Sequence, residues 1–276
     1  MAGALNQRQI ISLLDADPDL GIDLDEQNAA LARRRALATV MEIEPPRWDP
    51  TELREVDGKG WLGLFMLEGL LIRQVTVGKR MACELFGPGD IFRPWDADGE
   101  YEPLPVTVEW LVLQPTRLAM LDAAFTVRIA RWPAITSRLV GRIAQRARYL
   151  ALAQAVTHLP RAYARLLILF WLLAERWGKV GPDGIHICLP LTHDILAMLV
   201  GAHRPTVTIA IQRLERAGLL HRERRDRWLL TNQAIEALDH PESLELIDGE
   251  DGAVRPLTRG TGHPRVGDSI ADEHER

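Results

Sequence analysis

Between residues 61 and 121 the chain alternates short apolar runs with turn residues. The runs cover 61–67, 70–75, 81–86, 106–113 and 117–121, and the breaks hold Glu68-Gly69, Val77-Gly78, Gly87-Pro88-Gly89-Asp90, Asp98-Gly99 and Gln114-Pro115. Several short strands at this spacing predict an all-β barrel or sandwich. The period then changes. Residues 133–157 are rich in Ala, Leu, Arg and Gln, and Ile135, Leu139, Ile143, Ala147 and Leu150 share one helical face. A second helix is expected over 161–177, after Pro160 and ending at Gly178 as a C-cap glycine. Upstream, residues to about Asn28 are acidic and weakly patterned, with at most a short helix near Gln7–Leu14.

The long helix admits two readings. One is a helix packed in the core of its own domain, and the other is a dimer seam with Ile, Leu and Ala at three and four spacing. Arg131, Arg138, Arg142, Arg146 and Arg148 on its other faces are incompatible with burial all round.

Residues 189–230 carry the chemistry. Thr192 is a good N-cap for a helix through Ile195, Leu196, Met198 and Leu199, and Gly201 stands where a left-handed residue would end it. Arg204-Pro205 opens a second helix, Pro being tolerated in a first turn. Two helices joined by a short glycine-containing turn make a helix-turn-helix. On the second helix Val207, Ala210, Ile211, Leu214 and Ala217 share the core side. Pro205, Ile209, Gln212, Arg213 and Arg216 point the other way, flanked by Thr206 and Thr208. Such a face suits a major groove: Arg and Gln reach base edges bidentately, Thr reaches bases or phosphates, and an outward isoleucine packs on a thymine methyl. Leu219-Leu220 and Trp228-Leu229-Leu230 then flank a basic tip that holds Arg222, Arg224, Arg225 and Arg227, a hairpin that reads as the wing of a winged helix.

Charge sharpens this picture. The 276 residues carry a formal charge of −5, which excludes a uniformly basic coat but not a local patch. Residues 201–230 hold seven arginines against three acids, a local +4. With 47% hydrophobic and 26% charged residues the chain can bury a substantial core. Cys83 and Cys188 are too few for a disulfide scaffold, a four-thiolate zinc site or a four-cysteine cluster. His186, Cys188, His193 and His203 lie close in sequence, yet their spacing is a weak metal signal, and Cys188 is expected to be a small buried hydrophobe. No Ser-His-Asp, Cys-His or paired-carboxylate arrangement has supporting context, so no enzyme is expected. The acidic N-terminus is unlike a signal peptide, and the longest apolar run, 166–174, is too short for a bilayer. A soluble cytoplasmic protein with no membrane partner is expected.

Leu189-Pro-Leu-Thr192, Leu196-Ala197, Val200-Gly201-Ala-His-Arg204-Pro-Thr206-Val207-Thr208 and Leu214-Glu-Arg-Ala-Gly218-Leu-Leu resemble the DNA-binding domain of the CRP/FNR transcription regulators. Glu68-Gly69 and Gly87-Pro88-Gly89-Asp90 sit where that family's cyclic-nucleotide-binding-like β-roll has its glycine turns. The resemblance covers about residues 31–239. It implies an α+β chain with five parts: an acidic N-terminal extension (1–30), a β-roll sensor-like domain (31–126), a dimerisation helix (127–158), a winged helix-turn-helix (159–240) and a disordered tail (241–276).

By resemblance Arg204 matches the arginine that reads a guanine, and Thr192 and His193 stand where the family contacts phosphate. Pro205 and Ile209 replace a frequent Glu and Arg, so a different operator is expected. The expected function is a homodimer, paired through Ile135, Leu139, Ile143, Ala147 and Leu150. It would bind an inverted repeat of double-stranded DNA through helix 204–217 and the basic wing, with RNA polymerase a candidate partner. The competing expectation is a ligand-binding signalling protein whose winged helix contacts protein.

The family's nucleotide-binding members follow the Gly-Asp turn with a Gly-Glu pair and later an Arg followed by Ser or Thr. Here Ile91-Phe92-Arg93-Pro94-Trp95 follows, and residues 94–116 contain no Lys or Arg. Cyclic AMP binding is therefore not expected. No cofactor or metal is expected, and the effector stays open.

Overall fold

In the computed structural model, which describes residues 9–53, 60–95 and 106–238, the chain is α+β. A short strand β1 (Ile10–Ser12), helix α1 (Leu13–Ala16), a 3-10 turn (Pro18–Gly21) and helix α2 (Glu26–Arg35) come first. Strands β2 (Leu37–Ile43), β3 (Arg47–Trp48), β4 (Gly63–Val77), β5 (Arg80–Phe86), β6 (Ile91–Phe92) and β7 (Val106–Leu121) follow. They form one antiparallel sheet in the order β1-β2-β7-β4-β5, with β3 on β7 and β6 on β4, curled into a roll.

The runs expected as separate strands on either side of Glu68-Gly69 are one strand, and so are those around Gln114-Pro115. The break is a bulge: register slips between Met66 and Leu71 while β4 stays paired with β7. Gly69 adopts φ +100, and a Cβ there would stand 2.3 Å from the Thr116 hydroxyl. Only glycine lets the two long strands approach there.

Alternation along β4 sends side chains to two cores. Leu64 and Met66 join Phe86, Phe92, Trp110 and Leu118 inside the roll. There Phe92 and Trp110 stack at 5.2 Å, with Trp48 5.6 Å and Phe86 5.4 Å from Trp110. Phe65 faces the other way, onto Phe125 of α3 (Ala123–Ile129) and onto Ile135 and Leu139 of α4 (Pro133–Thr157).

The leader, read as a weakly patterned acidic extension, is part of this second core. Leu13, Leu14 and Leu20 are buried with Ala32 and Ala36, and the boundary drawn at residue 30 falls inside α2. Two of its acids face α4: Asp17 accepts a hydrogen bond from Arg142 at 2.8 Å, and Asp23 accepts from Arg138 at 2.6 and 2.8 Å. Residues 241–276, expected to be disordered, lie outside the described residues.

The five-residue seam on α4 is corrected. Ile135 and Leu139 are buried inside their own chain, whereas Ile143, Ala147 and Leu150 are exposed together with Val140. Steps of four residues drift about 40° per step on a helix with 3.6 residues per turn, so the row rotates from the roll toward solvent. Val140, Ile143, Ala147 and Leu150, spaced three, four and three, stay on one open side. Arg138, Arg142 and Arg146 on the other faces are paired, the first two with the leader. Arg146 grips Glu84 at 2.6 and 2.9 Å, and Arg73 meets the same carboxylate at 2.9 Å.

Helix α5 (Ala162–Trp177) leads into β8 (Gly178–Gly181) and β9 (Gly184–Ile187), then α6 (His193–Val200), α7 (Arg204–Arg216), β10 (Leu220–Arg224), β11 (Arg227–Thr231) and α8 (Asn232–Leu238). Gly178 caps α5 where the sequence expects it, in an extended rather than a left-handed conformation, and begins β8. A side chain there would come within 2.4 Å of Ile185, so close packing demands the glycine.

The end of α5 is clasped to the roll. Asp90 accepts from the Gly87 amide at 2.8 Å and pairs with Arg176, whose guanidinium lies 3.9 Å over Trp177 and 5.1 Å from the Tyr149 ring. Trp177 donates to the Pro88 carbonyl at 3.3 Å. Leu70, Ile72 and Leu85 of the roll share one apolar cluster with α5, α6 and α7.

Candidate nucleic-acid interface

Local chemistry shapes the two-helix unit. Thr192 caps α6, its hydroxyl accepting from the Ile195 amide at 3.3 Å, and Gly201 ends the helix in the left-handed region at φ 60, ψ 46. The chain turns by 100° before α7, the geometry of a helix-turn-helix. Arg165 of α5 braces the turn by donating to the Val200 carbonyl at 2.9 Å and the Gly201 carbonyl at 3.3 Å. Sequence reading missed this brace, because nothing local marks an arginine 35 residues upstream as its partner.

Val207, Ala210, Ile211 and Leu214 are buried, and Ala217 lies under the same core. On the opposite side Arg204, Pro205, Thr206, Ile209, Gln212 and Arg216 are exposed, Ile209 by 68%. Arg204 lies 3.5 Å from Asp194, an exposed pair that restrains it weakly.

Two residues assigned to the reading face sit differently. Arg213 is half-buried, its guanidinium 4.6 Å from the Tyr163 ring of α5, because its position on the wheel is at the border with the core. Thr208 spends its hydroxyl locally, donating to the Arg204 carbonyl at 3.1 Å and meeting His193 Nδ1 at 2.9 Å. His193 thus links α6 to α7. Its pKa is held below the ordinary imidazole value, first by burial and then by Arg222 and Arg204.

The wing is the β10–β11 hairpin, with Leu220 paired to Leu230 and Arg224 to Arg227. Trp228 is fully buried against Phe170 and anchors it. Arg222 lies 5.0 Å over the Trp228 ring and donates to the Arg225 carbonyl at 3.0 Å, which shapes the tip. The Arg227 pKa is raised further above its already high value by Cys188 first and then by Glu223 and Asp226, and its guanidinium lies 3.8 Å from Glu223. Arg216, Arg224 and Arg225 have no ion-pair partner among the described residues.

The four residues that hinted at a metal go separate ways. His186 meets Glu223 at 3.1 Å, His193 meets Thr208, His203 is exposed just ahead of α7, and Cys188 is exposed rather than buried. Ile187 points inward on β9, so alternation turns Cys188 out. The described residues contain no helix long and apolar enough to cross a membrane on its own.

Residues 163–239 match the Crp-like helix-turn-helix domain. The chain is 30% identical over 188 residues to Regulatory protein CysR of Synechococcus elongatus, covering 66% of this chain and 78% of that relative. Among solved structures it is similar to a CooA mutant from Carboxydothermus hydrogenoformans, with 17% identity, a TM-score of 0.53 and coverage of 71% of this chain and 86% of that one. A cyclic nucleotide-binding domain containing protein from Listeria monocytogenes gives 16% identity, a TM-score of 0.56 and coverage of 70% and 90%. At those identities the structural likeness is one of fold, a roll followed by helices and a winged unit. With a capped two-helix unit, its open polar face and the wing in place, the chain belongs to the CRP/FNR family, which comprises transcription regulators with a helix-turn-helix for DNA and not enzymes.

Proposed function

We propose that this protein is a homodimeric regulator that binds an inverted-repeat operator, with α7 in the major groove and the wing on the flanking backbone. The observation that carries this is the composition of one open surface. Arg204, Thr206, Ile209, Gln212 and Arg216 lie outside a helix whose other side is fully packed, and Arg224 and Arg225 stand exposed at the hairpin tip. Arg204 and Gln212 are suited to base edges, Ile209 to a thymine methyl, and the wing arginines to phosphate. Thr192 and His193, at the start of α6, supply backbone contacts.

Dimerisation is supported by the open row Val140, Ile143, Ala147 and Leu150 on α4. A two-fold axis along that helix would set the recognition helices about 34 Å apart, one turn of DNA. The roll is proposed to work without cyclic AMP: Trp48, Phe86, Phe92 and Trp110 fill its interior. RNA polymerase in the cytoplasm is the proposed further partner.

Selection from genomic fragments followed by mobility shifts at graded salt tests the reading. Three or four phosphate contacts per protomer predict a log–log salt slope of about −5 to −7, on a site with two-fold symmetry. Binding of protein partners with no salt-dependent shift of any fragment would favour the other occupant of this face, for which the bare Ile209 speaks.

A further inference from the structure

The basic face has a counterpart in the same chain. Residues 239–251 carry six carboxylates (Asp239, Glu242, Glu245, Asp248, Glu250 and Asp251) and no Lys or Arg. Leu244, Leu246 and Ile247 are interspersed among them. The acids recur every third residue from 239 to 248. The segment begins where α8 ends, and α8 follows the wing strand β11 directly. Ala234 and Ala237 bury α8 against the winged unit, so the segment is tethered to the module that carries the arginines.

We propose that segment 239–251 lies across the basic face of its own winged helix and competes there with DNA. This rests on the DNA reading given above. Arg216, Arg224 and Arg225 have no partner carboxylate among the described residues, and a guanidinium fork accepts a carboxylate in the geometry it uses for phosphate. Ile209 offers an apolar patch to the leucines between the acids. Thirteen residues reach about 40 Å when extended, and a short tether holds them at an effective concentration of about a millimolar. At that concentration a segment whose free peptide binds with a dissociation constant of about 0.1 mM occupies the site about nine-tenths of the time when DNA is absent, and a correct operator displaces it.

The test uses the full chain with Asp239, Asp248 and Asp251 changed to Asn and Glu242, Glu245 and Glu250 to Gln. On a random-sequence duplex this variant is expected to bind about tenfold tighter than the wild type at 50 mM salt, and within about twofold at 300 mM, where screening weakens the competitor. A labelled peptide of sequence 239–251 should bind the amide variant and lose most of that binding when Arg224→Gln and Arg225→Gln are added. Equal duplex affinity of wild type and amide variant, or peptide binding indifferent to Arg224 and Arg225, overturns the proposal. Peptide binding by a chain that binds no duplex at all would overturn it through the DNA reading on which it rests.

Discussion

Leu139 and Ile143 lie one turn apart on α4 and should fail in different ways when each is replaced by Asp. Leu139 is 1% exposed, packed among Trp132, Ile135 and Phe125 of its own chain. Removing such a side chain costs about 2–5 kcal/mol, and an unpaired carboxylate in its place adds several more. That is comparable with the whole stability of a typical domain, about 5–15 kcal/mol. Ile143 is 38% exposed, so the fold loses little and the proposed seam loses much. Completing its burial is worth about 1 kcal/mol per copy, and the two-fold axis counts the change twice. Repulsion and desolvation of two facing carboxylates bring the total to about 4 kcal/mol, near a thousandfold in dimer dissociation constant. Sedimentation velocity and thermal melts separate the cases: Leu139→Asp should unfold, while Ile143→Asp should melt close to wild type and sediment as a monomer. A dimeric Ile143→Asp at micromolar concentration, or a folded monomeric Leu139→Asp, would refute the assignment.

Arg204→Ala should cost about 1–3 kcal/mol on the operator and relax one base position. Arg224→Ala or Arg225→Ala should weaken all duplexes alike and flatten the salt slope, and an equal loss for Arg204→Ala on random DNA would count against base reading. His193 has its pKa held below the ordinary imidazole value, first by burial and then by Arg222 and Arg204. Its share of stability is whole above pH about 6.5 and is lost as pH falls through the lower folded value. The melting temperature of His193→Gln should therefore drop less than that of wild type between pH 7 and pH 5. Burial pushes the Cys83 thiol up to about 11, so at pH 8 a thiol reagent should modify exposed Cys188 first, and equal rates would contradict this. Calorimetry with millimolar cyclic AMP or cyclic GMP should show no saturable heat, and a micromolar dissociation constant would show the reading of the roll to be wrong.

The two-helix unit was legible because its signals are local. Thr192 caps, Gly201 turns, and a thirteen-residue helix sorts its faces by periodicity alone. Arg213 escaped because a wheel shows direction but not the Tyr163 ring waiting across the boundary. The leader escaped because Leu13, Leu14 and Leu20 form no repeat; their burial comes from the surface that Phe125, Ile135 and Leu139 present to them. Glu68-Gly69 and Gln114-Pro115 look like turns in isolation, and only the pairing of β4 with β7 makes them a bulge.

The apolar cluster that joins the roll to the winged unit sets a threshold for any signal. Swinging α6 and α7 away would expose Leu70, Ile72 and Leu85, at about 1.5–3 kcal/mol each if fully uncovered. A ligand would have to discriminate between the two arrangements by roughly a factor of a thousand or more to populate the swung one. A micromolar ligand has about 8 kcal/mol in all, so most of its binding energy would be consumed in the movement. The reading head is thus held in standing register with the roll, and control is cheaper where it acts on access to the arginines than where it moves them.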